Sequence, residues 1–207
     1  MKIKTILLAA LAATALVSAR ADEVTIAGST SGSFSASGSS TNQSLTFNSG
    51  SFDQTTFLNF GAVGGAAENN FGTMTLGSSA DPGQTYSGTF DLFITFTAPA
   101  GITGGQDATY TALVQGTLGP AGSPGGVSLN FASGGAQTFT FASGANSGSF
   151  TLSLDNLSIS PGRTVAITGS FTGSQGTTNV PDGGATVALL GVALVGVAAL
   201  RRKLATA

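Results

Sequence analysis

The chain of 207 residues contains no cysteine, no histidine and no tryptophan. Without cysteine it can form no disulfide framework, so an exported fold would depend on its core alone. Thiol catalysis and thiolate metal sites are excluded for the same reason. Without histidine, a Ser-His-Asp triad is impossible and the commonest side-chain base is missing.

Basic residues are almost absent between positions 22 and 179, where eight acids accompany the single base Arg163 and lysine does not occur. One base against eight acids gives this segment a formal charge of −7. Nothing in it could neutralise phosphate groups, so we expect no nucleic acid partner. A Ser-Lys catalytic dyad is excluded there as well.

The N-terminus has the three parts of a secretory signal peptide. Lys2 and Lys4 precede an apolar run at residues 6–17, and Ala19 and Ala21 form a small-x-small cleavage site. Twelve apolar residues are too few to span a membrane comfortably. We therefore expect residues 1–21 to be removed by cleavage after Ala21, and not to remain as an N-terminal anchor.

The C-terminal segment, residues 180–207, also has three parts. A turn at 180–184 precedes an uncharged apolar stretch at 185–200 and a basic stop at 201–203. As a helix the stretch would be about 24 Å long, slightly short for a hydrocarbon core of roughly 30 Å. The cations predict a cytoplasmic C-terminus by the positive-inside rule. The turn consists of Val180, Pro181, Asp182, Gly183 and Gly184, and the stop consists of Arg201, Arg202 and Lys203.

This tail resembles the PEP-CTERM class of bacterial sorting signals, and most closely its VPDSG-type variant. Gly183 stands where the variant has serine. The resemblance is confined to the tail, and it implies export by a Gram-negative bacterium and membrane anchoring before processing by an exosortase. It also implies delivery to the cell surface or the exopolysaccharide matrix, which makes exopolysaccharide a possible partner. A plain single-pass anchor is the alternative.

The segment between the two signals has the pattern of an all-β protein. Residues 22–43 are rich in glycine and serine and predict a flexible leader or a weak edge hairpin. Residues 44–179 predict about nine short antiparallel strands in a β-sandwich or jelly roll. Apolar residues alternate with polar ones, as in 90–97, and further strands are expected at 44–48, 55–60, 71–76 and 108–117. A β-solenoid would need a fixed repeat, which is missing.

One run changes parity. Phe150, Leu152 and Leu154 occupy one face, whereas the next apolar residues are Leu157 and Ile159. A strand that changes face needs a bulge or a bend, and Asp155-Asn156 is suitable chemistry for one.

The ectodomain sequence contains no compact catalytic or metal-binding motif, and we predict no catalytic, cofactor-binding or metal-binding residue and no cofactor. Its acids are scattered, so a carboxylate pair for a hydrolase would have to be assembled by folding. No regular calcium-loop motif occurs. Our first hypothesis is therefore a non-enzymatic surface or matrix protein. A glycan- or calcium-dependent binding module is the second, and a carboxylate-dependent hydrolase is the third.

Overall fold

The computed structural model describes residues 23–64, 69–78, 81–120 and 125–177, together with Gly191. These residues form fourteen β-strands and one short 3-10 helix. The strands, numbered along the chain, are β1 Thr25–Phe34, β2 Thr41–Asn42, β3 Leu45–Asn48, β4 Ser51–Thr55, β5 Phe60–Val63, β6 Thr73–Leu76, β7 Thr85–Ala98, β8 Asp107–Leu118, β9 Gly125–Phe131, β10 Ala136–Ser143, β11 Asn146–Leu154, β12 Leu157–Ile159, β13 Arg163–Ala166 and β14 Gly169–Thr177.

The strands form three antiparallel sheets. One has six strands in the order β12-β9-β8-β7-β1-β4, and two have four strands, in the orders β10-β11-β14-β5 and β13-β6-β3-β2. The predicted all-β antiparallel class is confirmed. The predicted number of about nine strands is wrong, because the chain passes repeatedly from one sheet to another and divides what the sequence suggests are single runs.

The alternating pattern correctly predicts which residues of the long central strand face the core. Phe90, Leu92, Ile94 and Phe96 of β7 are buried, while the intervening positions face outward or are only partly buried. The same holds for Val127, Leu129 and Phe131 of β9, and for the β11 residues Phe150, Leu152 and Leu154. Side chains of successive residues lie on opposite faces of a strand, so apolar residues at every second position specify a half-buried sheet.

The expectation of a leader or weak edge hairpin at residues 22–43 is wrong for its first part. Strand β1 lies inside the six-stranded sheet, between β7 and β4. Its core-facing glycines leave space that rings from neighbouring strands fill. A Cβ on Gly28 would lie 2.8 Å from Cζ of Phe52, and one on Gly32 would lie 2.5 Å from Cζ of Phe90. The rings that cover the glycines of β1 therefore come from β4 and β7.

The remaining part, β2, lies at the edge of a four-stranded sheet and pairs with β3.

The single strand expected at 55–60 is also wrong. Strand β4 ends at Thr55, and β5 begins at Phe60 in a different sheet. The connection is a tight turn in which Leu58 and Asn59 both have positive φ angles.

The parity change after Leu154 marks a crossing between sheets. Strand β11 pairs with β10 and β14, whereas β12 pairs with β9 in the six-stranded sheet. The side chain of Asn156 accepts a hydrogen bond from the Phe131 amide at 2.8 Å, and the Asp155 amide donates to the Thr168 carbonyl at 3.0 Å. The predicted bend is confirmed, and these bonds satisfy its backbone.

Phenylalanine rings join the six-stranded sheet to both four-stranded sheets. Phe90 of the larger sheet lies 5.1 Å, between ring centroids, from Phe47 of β3, and Phe96 lies 5.4 Å from Phe150 of β11. Phe171 of β14 lies 5.8 Å from Phe52 of β4. The buried side chains form one continuous core, so both smaller sheets pack against the same core as the six-stranded sheet.

Within the described parts of the chain, no helix is long and apolar enough to cross a membrane. The predicted signal peptide at 1–21 lies outside the described residues, and so do the turn at 180–184 and the basic stop at 201–203. Of the predicted span at 185–200, the structure describes Gly191 alone. These assignments remain predictions from the sequence.

Because the Phe52 ring packs against Gly28, we expect Gly28→Ala to lower the free energy of unfolding by about 1–3 kcal/mol. The added Cβ would lie 2.5 Å from the Thr95 carbonyl oxygen, which belongs to the backbone of a central strand and cannot move without cost. Gly176→Ala on β14 is the matched control, because its added Cβ would lie 4.0 Å from the Ser147 carbonyl oxygen, an ordinary contact distance. Thermal unfolding followed by circular dichroism measures both, and equal melting temperatures would contradict the packing account.

Candidate functional site

The residues expected to carry sorting lie outside the described part of the chain, but the structure shows where the segments leading to them leave the fold. Val24, next to the predicted N-terminus, exchanges hydrogen bonds of 2.9 Å with Thr56 through its amide and its carbonyl. Thr177, the last residue of β14, pairs with Asn146. Thr25 and Asn146 line one shallow surface depression together with Gln175. Both ends of the described domain therefore lie at the same end of the sheets, here called the tail end.

The described acidic residues of the segment 22–179 are spread over several elements of the fold. Asp91 and Asp107 lie on the outer face of the neighbouring strands β7 and β8, and Asp53 lies on β4. Asp81 is in the turn before β7, and its carbonyl accepts a hydrogen bond from the Gln84 amide at 3.1 Å. Asp155 lies in the crossing from β11 to β12. Glu68 is outside the described residues.

Three of these carboxylates accept a hydrogen bond from a threonine hydroxyl. The bonds measure 2.6 Å from Thr111 to Asp91, 2.7 Å from Thr95 to Asp107, and 2.6 Å from Thr168 to Asp155. In the first two pairs the partners are directly opposite on adjacent strands. Such cross-strand pairs stabilise a sheet. The outward-facing threonines of these pairs therefore have a structural role.

A glycosidase requires two carboxyl groups at a defined separation of roughly 5 Å for retention or roughly 6.5–9.5 Å for inversion. Asp91 pairs with Thr111 and Asp107 pairs with Thr95, so the two acids are four residues apart in register. At about 3.3 Å per residue their Cα atoms are about 13 Å apart along the strands. The register thus separates these two acids and does not pair them.

No group of three potential metal-ligating acids comes together among the residues that the structure describes. One buried titratable group is Tyr110, whose hydroxyl reaches across the core and donates to the Leu152 carbonyl at 3.4 Å. Burial raises the pKa of this phenol above its ordinary value. The phenol thus remains neutral, and its hydrogen bond links β8 to β11.

The outer face of the six-stranded sheet carries hydroxyl groups around an exposed aromatic ring. Phe93 of β7 is 40% exposed and lies in register between Ser31 of β1 and Thr109 of β8. The Thr111–Asp91 and Thr95–Asp107 pairs flank it on either side. The sequence gives no signal for this cluster, because its members come from three strands that are distant along the chain.

The C-terminal tail supplies the most specific functional signal. A family model described as the VPDSG-CTERM motif matches residues 179–204. This tail is a VPDSG-CTERM sorting signal. The VPDSG-CTERM motif marks an exported protein that is anchored in a membrane and sorted by an exosortase-type enzyme. The match covers the tail and not the β-domain, and no curated protein or solved structure matches the chain.

The cross-strand pairing predicts that Thr111→Val lowers the free energy of unfolding by about 1 kcal/mol, because valine keeps the β-branched shape and removes the hydrogen bond. The matched control is Thr109→Val on the same strand and face, where we expect less than about 0.5 kcal/mol. A double-mutant cycle with Asp91→Ala, which removes the acceptor, measures the coupling. A coupling of zero would show that the pair contributes nothing to stability.

Proposed function

We propose that the protein is a non-enzymatic component of the bacterial cell surface or exopolysaccharide matrix, delivered there through its VPDSG-CTERM tail. The tail at residues 179–204 is the observation that carries the proposal. The predicted signal peptide at residues 1–21 would direct export. The apolar span at 185–200 would hold the protein in the membrane until an exosortase acts. The β-domain would then be displayed or released on the outer side.

The chemistry of the domain supports a role in presentation and contact. Residues 22–179 contain neither histidine, cysteine nor lysine, and the carboxylates of Asp91, Asp107 and Asp155 are engaged by threonine hydroxyls. The outer sheet face offers many hydroxyl groups and little charge. Such a surface suits weak and repeated contacts, whose avidity grows when many copies are displayed together.

Replacement of Pro181 and Asp182 by alanine tests the sorting step. We expect export and membrane insertion to continue, because the signal peptide and the apolar span are unchanged, while processing stops and the mature mass increases. Asp155→Ala, outside the tail, serves as a control for expression and should leave the processed mass pattern unchanged. Mass spectrometry of the membrane and extracellular fractions makes the measurement. Mature masses of the tail variant and the unmodified protein that differ only by the two substitutions would favour a plain anchor.

A glycan-binding role is the second candidate, and the exposed ring of Phe93 among hydroxyl groups is the observation that favours it. Sugars stack on aromatic faces and hydrogen-bond to surrounding polar groups. If the face binds glycans, Phe93→Ser should abolish the signal on a glycan array, whereas Leu113→Ser, on the same face but four residues away in register, should retain it. An array without signal for the unmodified protein would contradict this role. A calcium-dependent form of binding and a hydrolase activity have no observation that favours them.

A further inference from the structure

The turn between β4 and β5 exposes three large apolar side chains at one point of the surface. Phe57 is 70% exposed, Leu58 is 81% exposed and Phe60 is 52% exposed. The segment from Thr56 to Gly61 contains no charged residue. Large apolar side chains that cluster outside the core mark contact sites more often than scattered ones do.

Two non-glycine residues of this turn have positive φ angles, and the strain is not offset by burial of the Leu58 side chain. Phe57 and Phe60 exchange hydrogen bonds of 2.6 and 3.1 Å, which makes a two-residue hairpin. The central residues Leu58 and Asn59 have φ angles of 51° and 66°. Asn-Gly is the usual sequence for such a turn. A leucine there pays a steric cost, and its exposed side chain recovers little of that cost by packing within the fold.

The turn lies at the tail end of the domain. Thr56 bonds to Val24, and Phe60 pairs with Thr172 of β14. The Asn59 carbonyl accepts a hydrogen bond from the Gly173 amide at 2.9 Å. Strand β14 then continues past the turn to Thr177, so the chain leaves the domain towards its tail on the same side as the exposed apolar residues.

The length of chain beyond β14 keeps this end close to the membrane. Seven residues, 178–184, lie between Thr177 and the start of the predicted span at position 185, so the two positions are at most about 29 Å apart when this chain is fully extended. A tethered group meets its target at a high effective concentration, so even a weak contact becomes populated. Segments that lie on a membrane surface bury Trp, Phe and Leu side chains at the boundary between headgroups and acyl chains.

We propose that the Phe57–Phe60 turn docks into the lipid surface of the membrane that holds the tail. Electrostatic attraction is not the driving force, because the turn is uncharged and the segment 22–179 has a single base, Arg163. The contact would fix the orientation of the domain over the bilayer while the tail is processed. This inference rests on membrane anchoring by the sorting tail.

The absence of tryptophan from the chain gives a clean test. The full-length protein carrying Leu58→Trp is reconstituted into vesicles of zwitterionic phosphatidylcholine, with or without bromine on the acyl chains. The matched control is Leu113→Trp, a residue 45% exposed on the outer face of β8. We expect blue-shifted emission that brominated lipid quenches for Leu58→Trp, and water-like, unquenched emission for Leu113→Trp. Adding Phe57→Ser and Phe60→Ser to the Leu58→Trp chain should reduce the quenching.

Each other outcome counts against the proposal in a distinct way. Emission from Leu58→Trp that is not quenched in protein that floats with the vesicles would overturn the docking of the turn. A blue shift that depends on protein concentration and not on brominated lipid would show that a second copy covers the turn. Protein that does not float with the vesicles would overturn membrane anchoring itself, and with it this inference.

A second measurement separates lipid contact from a role in folding. Leu58→Gly should leave the melting temperature of the full-length protein unchanged or raise it, because glycine adopts positive φ without steric cost. A fall in melting temperature would show that the leucine stabilises the fold, which would contradict the interpretation of its strained backbone.

Discussion

The structure depends on phenylalanine rings that lie over glycines of neighbouring strands. Phe52 covers Gly28 and Phe90 covers Gly32, so β1, a strand rich in glycine and serine, becomes an internal strand of the largest sheet. Rings from both smaller sheets complete the same core. Because the chain has no disulfide and very few ion-pairing partners, this close packing is its main source of stability.

Local pattern predicts a good part of this fold. The alternation in β7 and the parity change after Leu154 identify the core face and the crossing between sheets, since both depend on neighbours along the chain. Local pattern does not predict the strand β1 or the turn at Leu58. β1 is completed by rings from β4 and β7, and the turn has neither glycine nor proline to mark it.

The functional signals divide in the same way. The sorting tail is a contiguous motif, so its order and composition suffice to identify it. The Thr111–Asp91 pair, the hydroxyl groups around Phe93 and the exposed turn are assembled by strand pairing, and no short stretch of sequence contains them. Position links the exposed turn to the sorting tail, because the turn and both ends of the described domain lie together at the tail end.

The intact mass of the protein in each fraction of its native cells tests the account most directly. An exported and sorted protein should be found outside the cytoplasm, beginning at Asp22 and lacking the apolar tail. The unprocessed chain has a mass of 20.2 kDa. Finding that full-length mass as a soluble species in the cytoplasm would contradict export, sorting and the proposed orientation at the membrane together.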